Sequence, residues 1–175
     1  FLYMQNRVKV RNPQGIAAVR LDAWDNPRTT DDDNLLTIYG VNSDQNVIIY
    51  NTSTTTISVY GLKQRGKERL SKPHGIAATA WGDVYVADTG NGRVVKLHNP
   101  SRDLSFERTL KPESMVSPHG VAITADSLLF ATDHGSNRVY GFYADSLVST
   151  WGGNDSTSSR FDRPTGIAAT SPADE

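Results

Sequence analysis

A six-residue sequence motif, here called the phrase, occurs four times in this chain of 175 residues, and no other feature constrains the fold as strongly. The copies read PQGIAA at 13–18, PHGIAA at 73–78, PHGVAI at 118–123 and PTGIAA at 164–169. From the glycine of one copy to that of the next, the spacing is 60, 45 and 46 residues. A period of about 45 residues is typical of the blades of a β-propeller.

Between successive copies lie short runs with β-type composition, separated by turn residues. In the second unit these runs are IAAT, VYVAD, RVVKL and SFERTL, and the turns between them include WGD and TGNG. Runs of this length predict one four-stranded antiparallel sheet per unit. A single sheet of this kind cannot bury both of its faces, so the units must stack on one another. The predicted fold class is all-β, a β-propeller of four-stranded antiparallel blades.

The repeat predicts a single domain over 1–175 that holds an incomplete ring. The expected parts are blades at about 13–60, 73–111 and 118–152, the start of a further blade at 164–175, a leading outer strand at about 1–5 and an insertion at 20–34. An open stack exposes apolar faces and strand edges. We therefore expect a fragment, or a chain that closes with a partner, with the remaining blades supplied by the same or another chain.

Composition argues against several classes of protein. Lys and Arg total 18 against 19 for Asp and Glu, a balance that predicts no nucleic-acid partner unless the charges segregate. Cysteine is absent, which excludes disulfides and thiolate metal sites. No run of about 18 apolar residues occurs, so no membrane span is expected. Two Asn-x-Ser/Thr sequons, at Asn51 and Asn154, favour an extracellular or cell-surface location.

The second and third units carry a more specific pattern. Pro-x-Gly-Ile-Ala is followed by VYVADTGNGRVVKL, in which Asp88 precedes Arg93 by five residues, as Asp133 precedes Arg138 in the next unit. This pattern resembles the NHL repeat family, and the resemblance extends over nearly the whole chain. It implies a closed ring of about five or six blades, of which this chain would supply about three and a half.

Residues that recur once per blade are expected to be structural. Asp can accept backbone N–H bonds in a tight turn, and Arg can tie neighbouring strands or blades together. The residues concerned are Asp88, Arg93, Asp133, Arg138, Gly75 and Gly120. In the first unit, Val41 and Asn46 take the positions of the Asp and the Arg.

Three histidines are candidates for ligand binding at the channel rim. In an antiparallel blade, the loop before the first strand and the loop between the second and third strands lie on the same rim. His74 and His119 stand at the start of innermost strands, so they should line the mouth of the central channel. His134, in a turn of the third unit, shares that rim but should lie farther from the axis. Converging imidazoles can bind an anionic ligand or a metal.

The leading interpretation is a non-catalytic scaffold for protein or glycan interactions, without a cofactor, in a larger secreted or surface protein. The alternative is a zinc-dependent propeller enzyme. Peptidyl-hydroxyglycine amidating lyases are similar NHL-like propellers, and that resemblance implies that His74 and His119 would be two zinc ligands. A lactonase-like hydrolase is a second form of the same alternative. Because Gln14 and Thr165 hold the flanking positions, a third histidine would have to come from the missing blades.

Overall fold

Among the residues that the structure describes, twelve β-strands in three antiparallel sheets make up the framework. The computed structural model describes residues 9–22, 36–53, 56–100, 103–153 and 160–170. Each sheet has four strands that follow one another in chain order, from the innermost strand to the outermost. The predicted leading strand at 1–5 and most of the predicted insertion at 20–34 lie outside the described residues.

The three sheets are the three blades of the repeat. The first blade consists of β1 (Pro13–Arg20), β2 (Leu36–Asn42), β3 (Val47–Asn51) and β4 (Ile57–Tyr60). The second consists of β5 (Ile76–Ala78), β6 (Asp83–Asp88), β7 (Arg93–His98) and β8 (Ser105–Leu110). The third consists of β9 (Pro118–Ile123), β10 (Leu128–Asp133), β11 (Arg138–Tyr143) and β12 (Ser146–Gly152). The predicted fold class is confirmed, and the described blades do not close a ring. No helix among the described residues is long and apolar enough to cross a membrane.

Alternation along the strands of the second blade buries both of its faces. Val84 and Val86 on β6 pack into an apolar layer shared with the first blade. Tyr85 and Ala87, which point the other way, pack into a layer shared with the third blade. Successive residues of β6 are therefore buried on both faces of the strand, because the second blade lies in the middle of the stack.

The outermost faces of the stack remain apolar and exposed. On the first blade, the side chains of Ile16, Leu36 and Ile38 are exposed, and Ile16 reaches 74%. On the third blade, Tyr143 and Trp151 are exposed to 54% and 42%. Faces of this kind are covered by a neighbouring blade in a complete propeller, as the open-stack argument predicts.

Close backbone contacts join the innermost strands near the axis. A Cβ atom on Gly75 would lie 2.5 Å from the carbonyl oxygen of His119 in the next blade. A Cβ on Gly15 would lie equally close, at 2.5 Å, to the carbonyl oxygen of His74. The glycine of the repeated phrase is required because one backbone passes directly against the next. This contact fixes where the residue preceding each glycine stands.

Candidate functional site

The loops that precede the innermost strands share one rim with the turns between the second and third strands. Gly90, in the β6–β7 turn, donates its backbone N–H to the carbonyl of Ser71, before β5. Thr89 donates its hydroxyl to the carbonyl of Pro118, at the start of β9. We call this surface the repeat rim. The opposite rim carries the β5–β6 turn, where the carbonyl of Ala80 accepts the backbone N–H of Asp22.

A shallow axial cavity of about 330 Å³ opens on the repeat rim. It is lined by three residues from each of the four copies of the phrase: the variable second residue, the glycine and the aliphatic residue that follows. The variable second residues are Gln14, His74, His119 and Thr165. The repeat thus brings His74 and His119 together at the mouth of the channel, whereas His134 is not among the lining residues.

The three histidine rings pack in a row. The ring centroids of His74 and His119 lie 4.1 Å apart, and those of His119 and His134 lie 5.1 Å apart. The Nδ1 atom of His74 is 2.9 Å from both the carbonyl of Lys72 and the hydroxyl of Thr89. Burial, followed by the proximity of His74 and His134, lowers the pKa of His119. A row of rings held in this way favours neutral imidazole at its centre.

This row does not form a three-histidine zinc site. Such a site needs ligand nitrogens that all reach one ion at about 2.0 Å. Among the described residues, one group of three or more metal-ligating side chains has its ligand atoms within 4.8 Å of one another, and it does not contain these histidines. We therefore derive no reaction step through zinc.

The group with metal-like spacing is Asp83, His98 and Glu107, on the opposite rim. The ammonium group of Lys96 lies 3.0 Å from Asp83, 3.4 Å from Glu107 and 3.1 Å from Asp145 of the third blade. Burial alone would lower the pKa of Lys96, but hydrogen bonds to Asp83 and Asp145 raise it above its ordinary value. The cation among these carboxylates is therefore the lysine itself, and the cluster ties the second blade to the third.

The repeated Asp and Arg of the second blade form a buried pair. Asp88 is fully buried and accepts a hydrogen bond from the Nε of Arg93 over 2.7 Å. Its other oxygen accepts the backbone N–H of Ser71, in the loop before β5. Arg93 also donates to the carbonyl of Arg69. These contacts hold the loop that carries His74, which supports the structural interpretation of the pair.

In the third blade, the equivalent Asp133 is likewise buried and accepts four backbone N–H bonds. Two come from Val116 and Ser117, before β9, and two come from Gly135 and Ser136, in the β10–β11 turn. Arg138 starts β11 directly opposite Asp133 in the strand register. The carboxylate thus orders both loops of the repeat rim in this blade.

The first-blade equivalents are Asn42 and Val47, and the alignment to Val41 and Asn46 is wrong by one residue. Asn42 pairs with Val47 in register, as Asp88 pairs with Arg93. Its side-chain oxygen accepts the backbone N–H of Arg11, the bond that Asp88 makes with Ser71. Asn46 instead takes the left-handed conformation, with φ of 58°. The usable signal was a polar Asn at the end of an apolar strand, followed four residues later by an Asn suited to positive φ.

Sequence reasoning missed a second concave surface on the repeat rim, between the first and second blades. Two adjoining cavities of about 520 and 460 Å³ share Asn46, Gly66 and Arg69 in their walls. We call them together the basic groove, because all charged residues lining it are cationic: Lys63, Arg65, Arg69, Arg93 and Lys111. Its signal was the segment GLKQRGKERLSK at 61–72, which holds five Lys or Arg and a single Glu.

Stacked four-stranded blades with innermost strands converging on an axial cavity define a segment of a β-propeller. Residues 70–97 match the family model described as NHL repeat, which confirms the NHL resemblance on the second blade. No curated protein matches the chain in sequence.

Several solved structures have the same fold. A streptogramin B lyase matches with a TM-score of 0.61 and 16% identity, over 89% of this chain and 44% of its own. Virginiamycin B lyase from Staphylococcus aureus matches with a TM-score of 0.56 and 18% identity, over 75% and 41%. Hydrazine synthase from Kuenenia stuttgartiensis matches with a TM-score of 0.57 and 14% identity, over 92% and 41%. The chain spans less than half the length of each, and at these identities the likeness concerns the fold alone.

Proposed function

We propose that this chain is part of a non-catalytic β-propeller that binds a protein or glycan partner through the repeat rim, within a larger secreted or surface protein. The observation that carries the proposal is the basic groove, a wide polar concavity whose cationic side chains, apart from Arg93, are exposed. Loops on a rigid β-scaffold are suited to recognition.

The charged groups repeated along the blades are already occupied inside the protein. Asp88 and Asp133 accept hydrogen bonds from the loops they order, and the unrepeated Lys96 is likewise enclosed by carboxylates. Groups used in this way hold the scaffold and are not available to a reacting substrate. The exposed side chains of the basic groove, by contrast, are available to a partner.

A secreted or surface location remains part of this proposal. Asn51, the first of the two sequon asparagines, accepts the backbone N–H of Ile38 and donates to the carbonyl of Leu36. It therefore has a structural role of its own, whether or not it carries a glycan. Mass spectrometry of the protein from its native source tests the location, because a glycan on either sequon requires the secretory route.

The binding proposal is tested by charge reversal on the two rims. The wild-type chain and the variants Arg69→Glu and Arg108→Glu are each applied to a glycan array and to a panel of purified surface proteins. Arg69 lines the basic groove, whereas Arg108 lies beside Asp145 on the opposite rim. We expect binding that Arg69→Glu abolishes and Arg108→Glu preserves. Binding that depends on Arg108, or no binding to either panel, would overturn the proposal.

The competing function is the zinc-dependent propeller enzyme, including its lactonase-like form. The contact of His74 with His119 on the axial cavity favours it, and several proteins of the same fold are named as enzymes. Metal analysis of the complete protein, purified with its remaining blades, separates the two functions. We expect no stoichiometric zinc and an unchanged melting temperature after chelation. One zinc per chain, lost in the double variant His74→Ala/His119→Ala, would support the enzyme and overturn a scaffold without a cofactor.

A further inference from the structure

We propose that the basic groove binds an acidic saccharide, one that carries carboxylate or sulfate groups on a hydroxyl-rich chain. This inference rests on the proposed function and names the class of partner. It starts from the shape of the groove, whose two cavities of about 520 and 460 Å³ adjoin at the shared residues Asn46, Gly66 and Arg69. Ligand sites in proteins typically have volumes of about 300 to 1,000 Å³.

Charge is strongly segregated around this groove. The whole chain has a formal net charge of -1, yet the segment 61–72 alone carries five cationic residues against one acidic residue. None of Lys63, Arg65, Arg69 and Lys111 forms an ion pair with any residue that the structure describes. Unpaired cations that line one concave surface attract anions and raise their local concentration.

The neutral polar groups of the groove add hydrogen-bond donors. The side-chain oxygen of Asn46 accepts the backbone N–H of Lys72, and that of Gln64 accepts the backbone N–H groups of Gly61 and Lys63. The NH₂ groups of both amides can still donate, whereas the oxygen of Gln64 is fully used and that of Asn46 keeps one acceptor site. A wall rich in cations and donors matches a ligand rich in acceptors, as an acidic saccharide is.

The same wall lacks the features that other polyanions need. In the part of the chain that the structure describes, no aromatic side chain lines either cavity, whereas single-stranded nucleic acid is usually held by stacking its bases on aromatic rings. Among the described residues, Leu62, which is 56% exposed, and Leu70, which is 1% exposed, are the apolar side chains that line the groove. An acidic peptide would therefore find one exposed apolar side chain, whereas peptide interfaces are anchored by clusters of buried side chains. Carboxylate or sulfate groups on a sugar chain fit the charges and the donors without either feature.

Calorimetric titration of the chain with defined oligomers tests the inference. The probes are a sulfated oligosaccharide, a uronate oligosaccharide and a neutral oligosaccharide of equal length, with a single-stranded RNA and an acidic peptide of matched charge. We expect at least one acidic saccharide to bind about tenfold or more tightly than the neutral one, and more tightly than the RNA and the peptide. The sulfate and uronate arms identify which acidic group is preferred. Affinity should fall as salt is raised.

Variants assign the binding to the groove. Arg69→Ala and Lys111→Ala should each weaken binding of the acidic saccharide about tenfold. Lys67→Ala is the matched control, because Lys67 belongs to the same segment but lies over the ring of Phe106 and lines neither cavity. Its removal lowers the net charge equally and should leave the affinity within about twofold. Thermal melts of all three variants confirm that the fold is retained.

Failure of this inference is distinguishable from failure of the proposed function. If the chain binds neutral glycans or proteins through the repeat rim but shows no preference for acidic saccharides, the inference is wrong and the scaffold stands. Tighter binding of RNA or of the acidic peptide also overturns it. If Lys67→Ala weakens binding as much as Arg69→Ala, the attraction is a property of net charge and the groove is not the site.

Discussion

Gly75 donates its backbone N–H to the carbonyl oxygen of His119 over 2.8 Å, and this bond joins the innermost strands of two blades. The same closeness recurs between Gly15 and His74, and between Gly120 and Thr165. His74, His119 and Thr165, the second residues of the last three copies, therefore each have two roles. The carbonyl of each meets the glycine of the preceding copy, and the residue lines the axial cavity. The same residue therefore serves both the packing of neighbouring blades and any binding at the axis.

Replacing Gly75 with Ala should destabilise the protein because the added methyl group meets a backbone atom of the next blade. The methyl carbon would be 2.5 Å from the carbonyl oxygen of His119, and a β-strand cannot yield as a flexible side chain would. We expect a loss of about 2 kcal/mol or more in the free energy of unfolding, measured by urea denaturation. Gly166→Ala is the control, since nothing lies within 4 Å of its added methyl. Equal effects of the two substitutions would contradict this account.

The buried pair of Asp88 and Arg93 can be tested by converting it to the pair found in the first blade. Asp88→Asn alone places an NH₂ donor against the guanidinium and should cost about 3 kcal/mol, because a buried charge loses its partner. Adding Arg93→Val restores the combination of Asn42 and Val47. We expect the double variant to be more stable than the sum of the single effects by at least about 1 kcal/mol. Additive losses in denaturant titrations would show that the two residues are not coupled.

Much of the architecture could be predicted because it depends on local periodicity. The copied phrase places the blades, and the alternation in VYVAD places the buried strand β6. Equivalence of His74 and His119 within the repeat was enough to bring both to the channel mouth. The contact of His134 with His119 was not predictable from the repeat, because it depends on the conformation of the β10–β11 turn relative to the start of β9 in the same blade.

The basic groove escaped prediction for a different reason. Net charge sums over the whole chain, so the five cations of 61–72 were offset by acids elsewhere. Arg93 and Lys111 join that segment only when the blades stack. Asn42 was misaligned because the insertion in the first blade changes the distance between the phrase and the second strand. In the other two blades that distance is the same and aligns Asp88 with Asp133.

Lys96 should contribute strongly to stability because it holds carboxylates of two blades. Its side chain is 11% exposed and lies 3.0 Å from Asp83 and 3.1 Å from Asp145. Lys96→Met keeps most of the apolar stem but removes the cation that Asp83 and Asp145 share, leaving Asp145 only the exposed Arg108, and should cost about 3 kcal/mol. Arg108→Met is the control, because the Arg108 side chain is 55% exposed and should lose less than about 1 kcal/mol. Similar midpoints for the two variants in guanidinium denaturation would argue against the role of Lys96.

His119 should make the protein less stable in mild acid. Burial and the neighbouring His74 and His134 lower its pKa in the folded protein, while the carboxylate of Asp133 acts in the opposite direction. Above the ordinary histidine pKa of about 6.5, both the folded and the unfolded chain hold neutral His119, so it contributes no pH dependence. As the pH falls below that value, the unfolded chain takes up the proton first, and the free energy of unfolding decreases.

The variant His119→Gln, which copies Gln14 at the equivalent position, should remove this contribution. The free energy of unfolding, measured by urea titration at pH 7.5 and 5.5, should fall less in the variant than in the wild type. One proton can account for a slope of at most about 1.4 kcal/mol per pH unit. His74→Gln provides a second check, because removing one neighbouring imidazole should raise the pKa of His119 in an NMR titration. If the wild type and His119→Gln lose stability equally on acidification, the histidine row does not resist protonation.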